Sequence, residues 1–474
     1  MIDFLPEFAA KADSFKSYFL DAIKIRKKFY IITHKDCDGV SSAYILTKIL
    51  NALDCLYDIK TCTFIDEKTI YELAKTIECE NIIFLDLGSS YLDIIADAFF
   101  GMGEKKNVFV IDHHHIKAES KEIVQLNARE FGVDSDAYMC GATTVYFFAK
   151  QFSDVLSHEE LNKLALVATL GAIGDYQAKD NIEGLNKIAI DEGISSGMIT
   201  LEKDLNIYGK ESRYLHKCLA RCDFDVPGIK SEHDAMDFVI KNGFYEKGRW
   251  TKYNELSTDE KERLKKKILE LRNGNNEKVF SNSIMFYVGD KNNKRTIDAF
   301  EFSTLINSKI RMDDDVTAIK LCSFDEEVIK KAKKELFEYQ TELKKNLEYI
   351  DSLGDNKDKN NTQKYTSDNI VIINLFDKIK PNFISTVSSI IGKSRKYPDG
   401  TLLFLIGRIN PNESKISARV CGLSKQNKIN VKELLEVAMK GITTNLGGHF
   451  ESAGAIISTF DEEKTIENLK NIKI

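Results

Sequence analysis

Three short stretches of this sequence place carboxylates and imidazoles directly after apolar runs. The first is "FYIITHKDCDG", which carries His34, Asp36 and Asp38. In the second, Asp86 follows "NIIFL", and in the third the run "DHHH", Asp112–His115, follows "VFVI". Carboxylates that share one crevice repel one another, so either their pKa values rise or divalent cations neutralise them. The pattern therefore predicts a metal centre made of carboxylates and imidazoles.

Each stretch also has a purely structural interpretation. Asp38 could cap a following helix, Asp86 could cap a helix that starts at "GSSYLD", and Asp175 in "ALVATLGAIGDYQ" could stand in a turn. The three consecutive histidines fit such an interpretation less well, because buried neighbouring imidazoles are costly unless they bind something. Together with "ALVATLGAIGDYQ" the three stretches make an ordered set of four, and this set is more specific than any one of its members.

The apolar runs that precede these residues have the character of strands separated by helices. "KKFYIITH", "NIIFLDLG" and "NVFVIDHHH" are short and β-rich, and helical patterns such as "SSAYILTKILNAL" lie between them. This alternation predicts βαβ units and a parallel sheet. Functional residues of such sheets lie beyond the carboxyl ends of the strands, so the four stretches are expected to meet at one edge.

Oxygen and nitrogen ligands without sulfur favour Mn²⁺, with Mg²⁺ or Co²⁺ as alternatives. A second cluster, formed by Cys218 and Cys222 with His216 and His233 nearby, lacks a strong zinc spacing and falls in a helical pattern. Trp250 is interpreted as a packing anchor rather than a base-stacking residue. The basic run "KERLKKK" is interpreted as a solvated helix face.

The chain of 474 residues is long enough for several domains. An α/β pattern gives way to a helical, charged segment, a long helix, a polar run and a second α/β pattern. The predicted divisions are 1–205, 206–322, 323–353, 354–368 and 369–474. Residues 369–474 hold 15 Lys and Arg against 10 Asp and Glu, although the whole chain has a net charge of -6. A basic end beside an acidic body is expected if one lobe binds phosphates and another holds cations.

Several classes of protein are disfavoured. No stretch approaches the roughly 18 uninterrupted apolar residues of a membrane span, and the acidic start "MIDFLPEFAAKADSF" does not resemble a secretion signal. Nine cysteines without a framework indicate reduced thiols and no disulfides. We therefore expect a cytoplasmic protein with no membrane partner.

The motif series "HKDCDG", "FLDLG", "DHHH" and "GAIGDYQ", followed by "GGHFESAGA" at Gly447–Ala455, resembles the DHH phosphoesterase family and its DHH-associated domain. Within that family the chain is most similar to archaeal RecJ-like nucleases, the branch that includes the GINS-associated nuclease. The segments "SRYLHKCLARCDFDVPGI", "GFYEKGRWTKYNELSTDE" and "FEFSTLINS" carry this closer likeness. The resemblance implies an α/β fold with an N-terminal parallel-sheet DHH domain, a helical insertion and a C-terminal α/β DHH-associated domain.

The resemblance also implies roles for individual residues. One metal would be held by His34, Asp36 and Asp86. The other would be held by Asp38, Asp86, His113 and Asp175, so that Asp86 bridges the two. His114 would face the substrate phosphate, and Asp112 would orient the histidine pair. The implied substrate-binding residues of the C-terminal domain are Ser417, Arg419, Gly447, Gly448 and His449. No family role transfers to His115.

The activity implied is that of a two-metal phosphodiesterase, a hydrolase. In its most specific form it is an exonuclease on single-stranded nucleic acid, acting 5′ to 3′ on DNA in DNA replication or repair. Alternatives are a nanoRNase-like phosphodiesterase of short oligonucleotides and a 3′-5′ RNA exonuclease. An alternative of another class is a non-catalytic scaffold in a replication complex, since a degenerate eukaryotic relative is a structural part of the replicative helicase. A GINS-type complex would then be the partner. The metal residues are all present in the sequence, which favours an enzyme over a non-catalytic scaffold.

Two departures from the family pattern bear on these expectations. Bacterial relatives usually have an aspartate where His34 stands, and an imidazole is a competent substitute as a ligand. The run "FSTLINSKIRMDDD" lacks the glycine-rich continuation of close archaeal relatives. We expect this second change, near Arg311, to affect substrate choice rather than chemistry.

Overall fold

Two compact units, Met1–Lys333 and Lys334–Ile474, make up the computed structural model. The predicted α/β fold class is confirmed, whereas the five divisions of the chain stay predictions. The structure describes residues 5–101, 106–179, 182–246, 248–289, 295–353, 363–367, 369–394, 396–422, 429–443, 445–449 and 452–472.

A five-stranded sheet lies in the first unit. Its strands are β1 (Lys28–His34), β2 (Leu56–Cys62), β3 (Asn81–Leu85), β4 (Asn107–Ile111) and β5 (Val124–Leu126). Their order is β2-β1-β3-β4-β5, and every neighbouring pair is parallel. All residues of β3 and all but the first of β4 are buried, as expected for strands covered on both faces. The predicted parallel sheet is therefore confirmed.

Helices accompany these strands in the same unit. They are α1 (Leu5–Ile25), α2 (Cys37–Ala52), α3 (Glu67–Thr76), α4 (Leu92–Phe100), α5 (Ser135–Tyr138), α6 (Gly141–Lys150), α7 (His158–Gly174) and α8 (Gly184–Ser195). Helix α2 packs against both α6 and α7. The α1 side chains Phe15 and Phe19 contact the rings of Phe109 and Phe148, which fixes α1 on the core.

The segment predicted as a helical insertion also contains strands. Its helices are α9 (Leu215–Leu219), α10 (Glu232–Lys241), α11 (Thr258–Leu271), α12 (Ala299–Arg311) and α13 (Asp315–Leu321). The strands here are β7 (Tyr245–Glu246), β8 (Arg249–Trp250), β9 (Phe280–Val288) and β10 (Arg295–Asp298), and β6 (Ile199–Leu205) directly precedes the segment. Strands β10, β9 and β6 form an antiparallel sheet in that order. Because β6 and β9 are far apart in sequence, local patterns do not reveal this pairing.

Helix α14 (Glu326–Ser352) matches the predicted long helix, and the boundary between the two units falls within it. The second unit contains a six-stranded sheet of order β11-β12-β13-β14-β16-β15, in which only β12 and β13 are parallel. Its elements are β11 (Lys364–Thr366), β12 (Ile370–Asn374), α15 (Pro381–Lys393), β13 (Leu402–Asn410), β14 (Glu413–Val420), α16 (Val431–Ala438), β15 (Leu446–His449), β16 (Ser452–Ser458) and α17 (Glu462–Lys470).

The polar run 354–368 was predicted to be a linker. Residues 354–362 and 368 lie outside the described residues. The end of the run differs from the prediction, because Lys364–Thr366 forms β11 and pairs antiparallel with β12 at the sheet edge. A short edge strand gains backbone hydrogen bonds from its neighbour and does not require an apolar sequence, so its polar composition resembled that of a linker.

All nine cysteines are free thiols. Among the described residues, no helix combines the length and the apolar character that crossing a membrane would require.

A buried ion cluster links β6 to the helices of the insertion. The Asp204 carboxylate lies 2.9 Å from Nζ of Lys210 and 3.1 Å from Nζ of Lys265, and it accepts a hydrogen bond from the Tyr253 hydroxyl. Burial raises the pKa of Asp204, but Lys210 and Tyr253 outweigh burial and lower that pKa to about 2. Lys265 belongs to "KERLKKK", so one lysine of that basic run is engaged in this cluster.

We expect Asp204→Asn to lower the free energy of unfolding at neutral pH by about 2–3 kcal/mol. The folded-state pKa is depressed, so the carboxylate stabilises the protein above its unfolded pKa of roughly 3.9, and this stability is lost as pH falls toward 2. Urea denaturation of both proteins between pH 7 and pH 3 measures the difference. A difference that stays constant over this range would contradict the assignment.

Candidate metal centre

The residues predicted to bind metal meet beyond the carboxyl ends of the parallel strands. Strand β1 ends at His34, β3 is followed by Asp86 and β4 is followed by Asp112. Asp36 is the N-cap of α2, and Asp175 is the C-cap residue of α7. Parallel strands end at the same edge of a sheet, so residues that are distant in sequence become neighbours.

The ligand atoms fall into three overlapping groups, and within each group they lie within 4.8 Å of one another. The groups are His34, Asp36 and Asp86; Asp38, His113 and Asp175; and Asp86, Asp112, His113 and His114. Asp86 belongs to two of these groups, and so does His113. The structure therefore brings together all six residues predicted as metal ligands and both residues predicted to assist them.

His34 presents one ring nitrogen to the carboxylates. Its Nε2 lies 3.1 Å from the carbonyl oxygen of Thr63, which can only accept a hydrogen bond, so Nε2 carries the proton. In the neutral ring the lone pair is then on Nδ1, which lies 2.7 Å from Asp36 and 3.5 Å from Asp86. Nδ1 makes no hydrogen bond with any described residue. A carbonyl that fixes the tautomer in this way is typical of a metal-binding histidine.

His113 is buried, and its ring nitrogens lack hydrogen bonds within the described part of the chain. Neither Nδ1 nor Nε2 has a hydrogen-bond partner among the described residues. Nε2 nevertheless lies 3.2 Å from Asp86, 3.5 Å from Asp175 and 3.9 Å from Asp38. Ligand atoms at right angles around one small divalent ion stand roughly 3 Å apart. These spacings are those of an imidazole nitrogen that shares an ion with carboxylates.

Asp38 is held by the start of another helix. Its two oxygens accept hydrogen bonds from the backbone N–H groups of Gly141, at 2.6 Å, and Ala142, at 2.8 Å. Helix N-termini favour negative charge because their first N–H groups lack partners within the helix. The structural interpretation of Asp38 as the cap of its own helix is wrong, since Asp36 performs that task by accepting from the Gly39 N–H.

Asp86 adopts an unusual backbone conformation at the centre of the site. Its φ is +57°, in the left-handed region that non-glycine residues seldom adopt. It does not cap the next helix, because α4 begins at Leu92 and the N-cap is Tyr91. One carboxylate oxygen, Oδ1, is buried and has no hydrogen-bond partner among the described residues. Strain of this kind is found at functional sites, and here it directs the carboxylate between the ligand groups.

Asp112 orients His114. The Asp112 Oδ1 accepts hydrogen bonds from the backbone N–H groups of His113 and His114, and it lies 2.8 Å from Nδ1 of the His114 ring. The Ser89 N–H donates to the other oxygen at 2.9 Å. The Asp112 side chain is buried, whereas that of His114 is 49% exposed. His114 is therefore held from behind and open to solvent in front.

Asp175 is positioned by a residue for which the sequence indicated no role. Gln177 donates from Nε2 to Asp175 Oδ2 at 2.9 Å and accepts at Oε1 from Asn186 at 2.6 Å. The Asn186 Oδ1 in turn accepts from the Thr143 hydroxyl at 2.8 Å. A turn residue alone would not require this chain of hydrogen bonds, which fixes the carboxylate toward His113.

The electrostatics of the site are those of crowded carboxylates. Burial lowers the pKa of His34, but Asp36 and Asp86 outweigh it and raise that pKa to about 11. Burial also lowers the pKa of His113, but Asp86, Asp38 and Asp175 together outweigh it and raise that pKa to about 10. Burial and the charges of Asp86 and Asp175 raise the pKa of Asp38.

The remaining acids show the same balance. Burial raises the pKa of Asp175 to about 6, because its effect exceeds the opposing attraction of His113, and the charges of Asp86 and Asp36 add to the increase. Burial opposes the ionisation of Asp86, but His113 and His34 lower its pKa. His114 likewise lowers the pKa of the buried Asp112.

These observations fit divalent cations. Five carboxylates and three imidazoles converge, and several of their buried lone pairs face one another without hydrogen bonds. Such a site attracts cations. Oxygen and nitrogen donors without sulfur suit Mn²⁺ and Mg²⁺ better than soft metals.

Two features of this site were missed in the sequence. The small residues "CGATT" at the start of α6 bring backbone N–H groups to Asp38, and a Cβ added at Gly141 would lie 2.7 Å from the Asp86 carboxylate. Gln177 is present in the motif "GAIGDYQ" and was given no role. The small residues before a helical pattern could have indicated that another part of the chain packs closely against the start of this helix. The sequence could not show that the packed residues are Asp38 and Asp86.

The predicted substrate-binding residues lie on β14 and β15 of the second unit, on either side of β16. In register, Ser417 pairs with Gly454 and Gly454 with Gly447, while Arg419 pairs with Ser452 and Ser452 with His449. Gly448 lies between the two rows. The five predicted residues therefore lie in register on β14 and β15, the two strands that flank β16.

The side chains on β14 already have partners. Ser417 is buried, and its hydroxyl lies 2.7 Å from that of Ser388. Arg419 donates from Nε to the Ser389 hydroxyl at 3.2 Å and from Nη1 to the Ala418 carbonyl at 2.7 Å. These bonds hold the guanidinium in one orientation.

Other predicted candidates lie apart from the centre. His115 is exposed, with Nε2 3.7 Å from Asp136. Trp250 packs on the hydrophobic core of the insertion and contacts the ring of His216 at 4.4 Å. None of the metal-compatible groups found among the described residues includes Cys218 or Cys222.

Comparison with known proteins agrees with the motifs. Residues 28–174 match the model of the DHH family, N-terminal domain. Uncharacterized protein MJ0831 of Methanocaldococcus jannaschii is 29% identical over 455 residues, covering 93% of this chain and 91% of that protein.

Two solved structures share the fold over nearly the whole chain. CDC45 from Entamoeba histolytica has a TM-score of 0.66 at 15% identity and covers 97% of this chain and 98% of its own. Exonuclease RecJ bound to manganese has a TM-score of 0.53 at 15% identity, with coverage of 98% and 93%. The likeness to a RecJ-type fold is thereby confirmed, whereas the GINS-associated branch stays a prediction.

Proposed function

We propose that the chain is a two-metal phosphodiesterase of the DHH family, because residues 28–174 match the model of that family's N-terminal domain. The observation that carries the proposal is the shared position of Asp86, whose carboxylate belongs to two of the ligand groups. In specific terms, we propose an exonuclease on single-stranded nucleic acid that acts 5′ to 3′ on DNA, in DNA replication or repair. The RecJ structure that shares this fold holds manganese, which supports Mn²⁺ as the metal.

The proposed ligands are drawn from the observed groups, with Asp86 added to the group of Asp38, His113 and Asp175. His34, Asp36 and Asp86 would hold one cation. Asp38, Asp86, His113 and Asp175 would hold the other, supported by the three distances from His113 Nε2. When bound, two divalent cations supply an activated water as nucleophile and neutralise the charge that develops on the phosphate.

The chain's own residues complete the chemistry. Asp112 and burial act in opposite directions on His114, and the carboxylate prevails and raises its pKa. In its protonated form the ring donates from Nδ1 to Asp112, which leaves Nε2–H for a phosphate oxygen of the substrate. We propose that His114 stabilises charge on the phosphoryl group and that Asp112 orients it. Phosphoryl transfer depends mainly on such positioning and charge neutralisation.

In the second unit, Ser417, Arg419, Gly447, Gly448 and His449 are proposed to bind the phosphate backbone of the substrate. Their positions in register on β14 and β15, the two strands that flank β16, support this. The fixed guanidinium of Arg419 supports it further, because arginine binds phosphate through a planar set of donors.

The test of the proposed function is a panel of single-stranded oligonucleotides with Mn²⁺. It includes DNA and RNA, labels at either end and lengths from dimers upward, so that sugar, polarity and the short-oligonucleotide alternative are read together. Wild type should release mononucleotides, and chelation of the metal should stop the reaction. His114→Ala should lower kcat about 100-fold, while the neighbouring His115→Ala leaves it unchanged. Equal loss in both variants would contradict the role of His114.

A second candidate is a non-catalytic scaffold in a replication complex, with a GINS-type partner. The specific observation that favours it is the fold shared with CDC45 at a TM-score of 0.66. The two candidates differ in what they require of the site. A scaffold would bind no Mn²⁺ and cleave no member of the panel.

A further inference from the structure

A cavity of about 290 Å³ lies next to the metal centre, inside the unit Met1–Lys333. Gly174 and Tyr176, the residues on either side of Asp175, line it. Its other walls come from the end of β6 and the turn after it, from β9 and from α12. Pockets for drug-sized molecules begin at roughly 300 Å³, so this cavity suits one planar ring system.

Most charged groups around the cavity are already engaged. Lys179 lies 2.9 Å from Asp223. Glu301 accepts hydrogen bonds from the backbone N–H groups of Glu211 and Ser212, and Asp298 accepts from the first N–H groups of α12. Lys210 belongs to the buried cluster around Asp204. Lys179 and Lys210 are therefore engaged, and Arg221 is the one cation left among the described lining residues, so the cavity is a poor phosphate site.

Two lining side chains remain open to a ligand. Among the described residues, no hydrogen bond or ion pair is found for the Asn307 carboxamide or the Arg221 guanidinium. A carboxamide offers a donor and an acceptor side by side, and a guanidinium offers a planar row of donors. Groups of this kind recognise the edge of a nucleobase.

Aromatic side chains border the same cavity. Tyr176 is 88% exposed and Tyr208 is 41% exposed, which is unusual for large rings. Tyr176 has φ of +60°, a strained conformation fixed where α7 ends by the hydrogen bond from its N–H to the Ile173 carbonyl. The ring lies outside the core, one residue from a proposed metal ligand. Exposed aromatic rings in nucleic-acid sites stack on bases.

We propose that this cavity binds the nucleobase of the nucleotide next to the hydrolysed phosphodiester. The inference rests on the proposed function and deepens it, because it names the part of the substrate that the cavity recognises. Tyr176 stacks on the base, and Asn307 and Arg221 contact its edge. Asp175, which precedes Tyr176 in the chain, belongs to the metal centre.

The test compares ligands with and without a base. In the presence of Mn²⁺, calorimetry measures binding of deoxyadenosine 5′-monophosphate and of 1,2-dideoxyribose 5-phosphate, which share the phosphate. The cleavage rates of two oligonucleotides, which differ only by an abasic residue at the cleaved end, are measured in parallel. Wild type should prefer the ligand and the oligonucleotide with a base by about tenfold or more.

The variants distinguish the effect of the Tyr176 ring from that of the backbone conformation at this position. Tyr176→Gly removes the ring and accepts the positive φ, so the preference should fall below about threefold. Asn307→Ala should weaken the preference without touching a residue next to Asp175. Tyr176→Phe retains the ring and should keep the preference, as should Tyr214→Ala, an exposed aromatic that does not line the cavity.

The outcomes distinguish this inference from the proposed function. If both oligonucleotides are cleaved at one rate and both ligands bind equally, the base site is wrong and the phosphodiesterase stands. If neither oligonucleotide is cleaved but the base preference in binding is present and is lost in Tyr176→Gly, the base site stands and the proposed activity is wrong. Equal binding of both ligands overturns the inference in every case.

Discussion

The Asp86→Asn variant should lose Mn²⁺-dependent hydrolysis by roughly 1,000-fold or more, because one carboxylate serves two proposed cation sites. Asparagine has nearly the same shape and tolerates the left-handed conformation at φ of +57°, so the backbone can stay as it is. What changes is the charge, and with it the attraction that raises the pKa values of His34 and His113. Initial rates with a labelled oligonucleotide and calorimetric titration with Mn²⁺ measure both consequences.

A matched control for this variant is Asp97→Asn. Asp97 lies on α4 and contacts the Tyr71 hydroxyl at the surface, away from the ligand groups. It should keep full activity, and both variants should show the circular dichroism of wild type. If Asp86→Asn keeps more than about a tenth of the wild-type rate, the role of this carboxylate as a shared ligand is wrong.

The Gly141→Ala variant should lower activity about 100-fold and destabilise the protein by about 1–3 kcal/mol. An added Cβ would stand 2.7 Å from both Cβ and Oδ1 of Asp86, which is closer than non-bonded atoms approach. Relief requires a shift of Asp86 or of the start of α6, whose N–H groups hold Asp38. Either movement disturbs the ligand groups. Oligonucleotide rates, Mn²⁺ affinity and urea denaturation measure the effect.

Gly392→Ala is the matched control, because it is the same substitution within another helix. There the nearest atom to an added Cβ is Cβ of Arg419 at 3.5 Å, an ordinary van der Waals contact. Alanine is a better helix former than glycine, so stability should rise by about 0.5–1 kcal/mol. Full activity of Gly141→Ala, with unchanged Mn²⁺ affinity, would mean that the close packing around Asp86 has no functional consequence.

Much of the metal centre was predictable from local sequence. Strands such as "NIIFL" are apolar throughout because both faces of a parallel sheet are covered, and this made them recognisable. Acids and histidines placed directly after such runs must lie at the carboxyl edge of the sheet, whatever the rest of the chain does. His34, Asp86 and Asp112 could therefore be placed together without a structure.

Other parts of the fold could not be read in this way. The antiparallel pairing of β6 with β9 joins segments separated by a long stretch of helices, and β11 is an edge strand of polar sequence. Strand β6 exists because of backbone hydrogen bonds to a partner that is distant in sequence, and β11 exists because of backbone hydrogen bonds to β12 rather than because of its own apolar content. Propensity and periodicity report on single segments and do not identify such partners.

The sequence by itself determined which residues carry the chemistry and the edge of the sheet at which they meet, because apolar periodicity specifies where each strand ends. The tertiary structure alone decided what each polar atom contacts. It placed the N-terminus of α6 against Asp38, set the His34 tautomer through the Thr63 carbonyl and left Nε2 of His113 facing three carboxylates. Hydrogen-bond partners depend on packing between segments distant in the chain, and local composition carries no record of that packing.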